Sequence, residues 1–481
     1  MIMSNWDKMR LAVLALAMIT MLATPQVRAQ QDNGNPKPAA KEGVPLAGPF
    51  DPDPNASPDA VLADTRPLTG AQEFSVGTAP ARHSYWAPGF RFANFWQSNP
   101  VGAGQNSGWA STSYVVGTLS VRQNWIHSSL AVNYSGGGTF STATSTTNLN
   151  GGYQQLGVVQ EFDWSRWKLS FLDQFSYTTS TTFGFGGGTN IDLPGIGGTL
   201  GSDLPGLQSN YVPNQSVFGS IGTRYSNGGV VQTEYQVSRR SSIVFSGSYG
   251  ILRFTQSGNI DVNDAILSAG YNYQLTTKDH IGVVYHYSNY RYLGDPQAFS
   301  DHSVQIAYGR KLTGRLGLQL FGGPEITVFR IPLAGQTQRV GGAGGVGMAY
   351  AFSRGDAGVS YSHGLTGGSG LLVGSTSDQI QLQAARQLAR QYRGQTGFGF
   401  ARNKSLEPGN SLIPGQSYDT YYFNAGINHT LGRTINLNVG YTFQKQNANL
   451  QFCPTTACGT NYTQHQISIG FDWHTRPYVI E

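Results

Sequence analysis

The sequence predicts an all-β chain, a transmembrane antiparallel up-and-down β-barrel of about 18 strands (16–18). Three observations predict it: two-residue periodicity, alternating short and long connections, and a composition poor in charge. Thr434 to Gln446 shows the periodicity best. Ile435, Leu437, Val439, Tyr441 and Phe443 alternate with Asn436, Asn438, Gly440, Thr442 and Gln444. Successive side chains of a strand point to opposite faces, so one face is apolar and the other polar. A soluble sandwich would turn the apolar face inward, whereas a membrane barrel turns it towards lipid and lines its lumen with the polar face. The charged fraction is 12%, well below the roughly 25% of soluble domains. Gly (63 of 481 residues) and aromatics (12%) are abundant, which favours the barrel.

The first element is an export signal. Lys8 and Arg10 precede an apolar run from Leu11 to Ala23, and Val27, Arg28 and Ala29 offer small residues for cleavage after Ala29. Residues 1–29 therefore read as a signal peptide. Residues 30–85 are rich in Pro, Asp, Ala and Gly without apolar period, and are expected to form a disordered periplasmic arm. Residues 86–481 form the expected barrel. No later stretch reaches the ~18 consecutive apolar residues of a membrane helix.

Strands are expected near 86–96, 110–121, 125–137, 153–164, 168–179, 228–238, 242–254, 265–275, 280–292, 301–311, 315–327, 342–353, 356–363, 376–388, 392–402, 418–430, 434–446 and 463–474. Their faces separate consistently: Leu267, Ala269, Tyr271 and Tyr273 oppose Ser268, Gly270, Asn272 and Gln274. Short turns carry cations, as at Arg122, Arg166, Lys278 and Arg390. The other connections are longer and polar, at 97–109, 138–152, 180–227, 255–264, 293–300, 328–341, 364–375, 403–417 and 447–462. Outer-membrane barrels have an even strand number, short periplasmic turns and long outer loops. An exported N-terminus starts on the periplasmic side, and an even count returns the C-terminus there.

The hairpin pattern and the aromatic terminal strand Ile467–Trp473 resemble the β-barrel porin families of Gram-negative outer membranes. The resemblance covers residues 86–481 and implies an outer-membrane location, embedding in lipid and insertion by the assembly machinery. It departs from the common pattern at its end, where His474 to Glu481 follow the aromatic strand.

Barrels of this size leave room for an aqueous channel. The expected function is passive diffusion of small polar solutes. The alternatives are a saccharide exporter or importer working with periplasmic partners, and a closed surface scaffold or adhesion barrel. Candidate lumen-lining residues are Arg122, Glu161, Asp163, Glu234, His286, Arg393 and Asp472. Their mixed signs suggest weak selectivity, since a ring of one sign would be needed for ion selectivity. The connection 180–227, with Phe183, Phe185, Leu193, Ile196 and Leu207 among glycines, is the candidate constriction. Cys453 and Cys458 are expected to form a disulfide in an oxidising compartment.

No cofactor, metal or nucleic acid is implied, and a homo-oligomer is compatible with the sequence. His286, Ser288 and Asn289 resemble the His-x-Ser-Asn core of outer-membrane lipid hydrolases. However, the strand pattern turns His286 and Ser288 away from lipid, so no enzymatic activity is expected.

Overall fold

The computed structural model describes residues 84–99, 108–142, 150–178, 223–255, 259–313, 315–333, 335–352, 354–368, 372–407, 416–432, 434–449, 461–476 and 478–480. The expected signal peptide, nearly all of the Pro-rich arm, Cys453, Cys458 and most of connection 180–227 lie outside the described residues.

The strands are β1 (Ser84–Ser98), β2 (Trp109–Asn124), β3 (Ser128–Ser141), β4 (Gly151–Asp163), β5 (Trp167–Thr178) and β6 (Arg224–Ser238). They continue with β7 (Ser241–Phe254), β8 (Asp261–Gln274), β9 (Asp279–Leu293), β10 (Ala298–Lys311), β11 (Leu316–Leu333) and β12 (Gln336–Phe352). The last are β13 (Gly355–Thr366), β14 (Ser375–Ala389), β15 (Tyr392–Ser405), β16 (Ser417–Leu431), β17 (Ile435–Ala448), β18 (Tyr462–His474) and the short β19 (Tyr478–Ile480). Each strand from β1 to β18 pairs antiparallel with its sequence neighbours, and β1 pairs with β18 from Gly89↔His474 to Gln97↔Gln466. The sheet is therefore a closed barrel of eighteen strands. β19 extends the seam, pairing with β1 from Ser84↔Ile480 to Trp86↔Tyr478. The tail beyond Trp473 thus helps to close the barrel, with the Trp86 and Tyr478 rings 5.1 Å apart.

Closure removes the edges that would strand backbone N–H and C=O groups in lipid. The alternation decides which face meets the lipid. On β17 Val439 and Tyr441 are exposed on the outside, while Asn438, Thr442, Gln444 and Gln446 are buried on the inside. Leu267, Tyr271, Val283, Ile306, Phe398 and Ile467 likewise face outward. At the short-turn end, Trp86, Trp167, Tyr273, Tyr350, Tyr392 and Trp473 form an outer aromatic girdle. Tryptophan and tyrosine suit this boundary because each has an apolar ring and a polar tip. Asp173, midway along β5, breaks the pattern: it shares the outward parity of Phe171 and accepts a hydrogen bond from Asn227 Nδ2 at 3.1 Å.

The first and last full strands are also joined by side chains. Arg91 of β1 and Asp472 of β18 are register partners on the inner face and form a buried ion pair. Asn438 Nδ2 donates to the other carboxylate oxygen at 2.6 Å.

Two expected connections differ: 255–264 is shorter, because β8 starts at Asp261, and 328–341 is overturned. The stretch 328–341 is not a loop: β11 runs to Leu333, β12 starts at Gln336, and the chain reverses at Gly335 with φ 77°. Pro332 obscures the end of β11 in the sequence. Pairing skips from Val328↔Gln338 to Leu333↔Gln336, so Pro332, which has no N–H to donate, falls within the irregular stretch.

Candidate functional site: the outer mouth of the lumen

The connection after β13 turns inward. Tyr292 of β9 donates its hydroxyl to Gly367 O at 3.1 Å, and Leu406 N donates to Gly374 O at 3.2 Å. Leu372 N donates to Gly368 O at 3.0 Å. Leu372 is buried with Tyr418 of β16, and Ala448 packs against them. The described residues of this connection, 367–368 and 372–374, therefore touch the inner wall at β9, just beyond β15 and at β16, at the long-connection end. Two glycines make the path possible. Gly368 and Gly374 have φ of 83° and 77°, a region that side chains with a Cβ rarely adopt. A Cβ on Gly374 would also meet the Phe299 ring and Leu406.

Beneath this segment lies an apolar cluster of Leu252, Val262, Tyr290, Tyr292, Phe299, Phe329 and Leu406. Tyr290 and Phe299 are register partners with ring centroids 4.8 Å apart. The inner face here is thus aromatic and aliphatic rather than uniformly polar.

Three buried carboxylates adjoin the cluster: Asp264 on β8, Asp301 on β10 and Glu325 on β11. All three lie within electrostatic reach of the Tyr290 hydroxyl. Asp264 is the register partner of Tyr290, and Asp301 accepts from Thr327 Oγ1 at 3.1 Å. Glu325 accepts from the Leu365 backbone across the glycines of β12. That contact has a topological reason. β12–β13 pairing runs outward only to Gly344↔His363, and Leu365 lies beyond it without a ladder partner on β12. Among the described residues no group of three or more His, Cys, Asp or Glu side chains is arranged to hold a metal ion.

Strand parity puts all seven candidate lumen residues on the inner face. Arg122, Glu161, His286 and Asp472 are buried there, Glu234 and Arg393 are partly buried, and Asp163 is exposed at the short-turn end. They do not form one site. Asp472 belongs to the seam, and Glu161 lies 3.5 Å from Lys168 Nζ. His286 and Ser288 face inward on β9, away from lipid. The sequence reading missed Asp264, Asp301 and Glu325. Asp264 falls in the expected connection 255–264, whereas Asp301 and Glu325 share the inward parity of Ser303, Gln305 and Thr327 on their strands.

A closed antiparallel barrel with an outward apolar belt is the architecture that spans the Gram-negative outer membrane. The chain is an outer-membrane-type β-barrel. No family model and no curated protein matches the sequence. Among solved structures it is similar to Pseudomonas aeruginosa OpdQ, at 10% identity and TM-score 0.42 over 82% of this chain and 100% of that one. P. aeruginosa OccK5 (OpdH) gives 10% identity and TM-score 0.41 over 82% and 99% of the two chains. The P. aeruginosa outer membrane protein OpdK gives 9% and 0.41 over 81% and 99%. Likenesses this loose decide neither solute nor activity.

Proposed function

We propose that the barrel is a channel for passive diffusion of small polar solutes, with segment 367–374 narrowing its outer mouth. The observation that carries the reading is the inward fold of that segment onto Tyr292, Leu406 and Tyr418. A loop free in solvent would not bury Leu372 against Tyr418. The inner face supports the same reading, because Ser, Thr, Asn and Gln side chains line much of it and can replace water around a passing solute. Asp264, Asp301 and Glu325 are enclosed in the wall beside the narrowing, and the expectation of weak selectivity is kept.

The test is single-channel conductance of the refolded protein in a planar bilayer, compared with a variant carrying a Gly-Ser linker in place of residues 368–373. A steady conductance that rises in the variant supports the reading. Silence from both correctly folded proteins sinks it.

A further inference from the structure

The lipid-facing wall carries a trough with a cation at one end. The trough is a concavity of about 710 Å³ on the outside of β12 and β14–β18. Ala384, Thr396 and Ala425 are register neighbours on β14, β15 and β16 and lie along it, with Gly394 beside them. One row nearer the long-connection end, the same strands carry the exposed side chains of Leu382, Phe398 and Phe423. Leu388 bounds the other side, so close that a Cβ on Gly394 would meet its Cδ1 at 3.1 Å. Small residues between two bulky rows thus leave a recess wide enough for an acyl chain.

The trough is not level. Arg386 lies close to the Ala389 end of β14, whereas Ile467 is farther from the His474 end of β18. The recess therefore climbs from the short-turn end, which faces the periplasm, towards the middle of the wall.

Arg386 lines the low end of the trough, is exposed and shares the outward parity of Leu382 and Leu388. It forms no ion pair among the described residues. Aromatic pairs flank it on both sides. Tyr350 and Phe352 of β12 are 6.1 Å apart, and Tyr392 of β15 stacks on His429 of β16 at 4.2 Å. Such rings mark the interfacial layer, so Arg386 stands at headgroup depth while the trough rises from it into hydrocarbon.

Other cations at this end are placed differently. Among the described strand residues there, the other outward cation is Arg310, and its Nε lies 3.6 Å from Asp279. Arg354 and Arg390 belong to turns and do not line the trough. At this end of β12–β16 no carboxylate among the described residues has outward parity.

We propose that the trough binds an anionic phospholipid of the inner leaflet, with its phosphodiester at Arg386 and one acyl chain over Gly394, Ala384 and Ala425. Charge complementarity selects this occupant. A guanidinium offers paired N–H donors to phosphate oxygens. Phosphatidylethanolamine brings an ammonium with its phosphate, and no outward carboxylate is there to receive it. Phosphatidylglycerol brings the phosphate without the ammonium. The site lies on the outside of the wall and does not depend on whether the lumen conducts.

The experiment is competition between phosphatidylglycerol and phosphatidylethanolamine of identical chains for purified, folded full-length protein in detergent, read by native mass spectrometry. Wild type is compared with Arg386→Gln, with Ala425→Trp, which fills the trough, and with Arg310→Gln as a control cation. Heat-modifiable gel mobility verifies that each variant retains the barrel, and Ala384→Leu replaces Ala425→Trp if that variant does not. The proposal expects phosphatidylglycerol to bind at least tenfold tighter in wild type and in Arg310→Gln. Arg386→Gln and the filled trough should lose most of that preference. Equal binding of the two lipids to wild type overturns it. So does a preference unchanged in Arg386→Gln, or one lost equally in Arg310→Gln, which would mean an ordinary annulus. A wild-type dimer or trimer that dissociates in Ala425→Trp while the preference persists would instead assign the trough to a second copy of the chain.

Discussion

Removing one member of the Arg91–Asp472 pair should unfasten the barrel at its closing seam. Both side chains are almost fully enclosed, at 5% and 9% exposure. Asp472→Leu leaves the Arg91 guanidinium buried without this counter-charge, and loss of one partner of a buried pair costs about 3–5 kcal/mol. It also deprives Asn438 of its acceptor, adding about 1 kcal/mol. Arg91→Met should cost a similar amount from the other side. The double replacement Arg91→Met/Asp472→Leu removes both charges and lets apolar side chains meet across β1 and β18. It should therefore cost far less than the sum of the singles. The assay is urea unfolding of refolded protein in lipid vesicles, followed by loss of heat-modifiable mobility. A cost below about 1 kcal/mol for Asp472→Leu, or single costs that simply add, would refute the reasoning.

Other expectations follow from the same geometry. Tyr292→Phe deletes the bond to Gly367 O at the cost of about 1 kcal/mol of local stability, and should make single-channel current noisier without changing urea stability by more than that. Gly374→Val cannot keep φ near 77° beside Phe299 and Leu406, so it should displace the inward segment and raise conductance. Val439→Arg, on the lipid face midway along β17, should cost about 2–4 kcal/mol in vesicles. Asp173→Leu should stabilise the barrel in vesicles, because it replaces an outward carboxylate with a lipid-compatible side chain.

The strand pattern was legible because it is local. On β17 the choice of Ile, Leu, Val, Tyr and Phe at every second position states which face meets lipid, with no knowledge of the neighbouring strands. Reading it eighteen times gives the strand number, and the alternation of connections gives the ends. Pattern reading failed over 328–341, where Pro332 misled. There the chain continues as strand because β11 and β12 pair with each other.

Segment 367–374 was read as one more outer loop. Nothing within those residues says that Leu372 will meet Tyr418, or that Tyr292 will bond Gly367. Those partners lie tens of residues away and come together only when the cylinder closes. The carboxylates of β8, β10 and β11 gather around Tyr290 for the same reason.

By itself, the sequence determined the strands, their two faces and the barrel class, because alternation along one strand is a property of that strand. The tertiary structure alone decided the seam at Arg91 and Asp472 and the inward contacts of Gly367 and Leu372 at the mouth. Each depends on residues far apart in the chain, placed side by side by barrel closure and register.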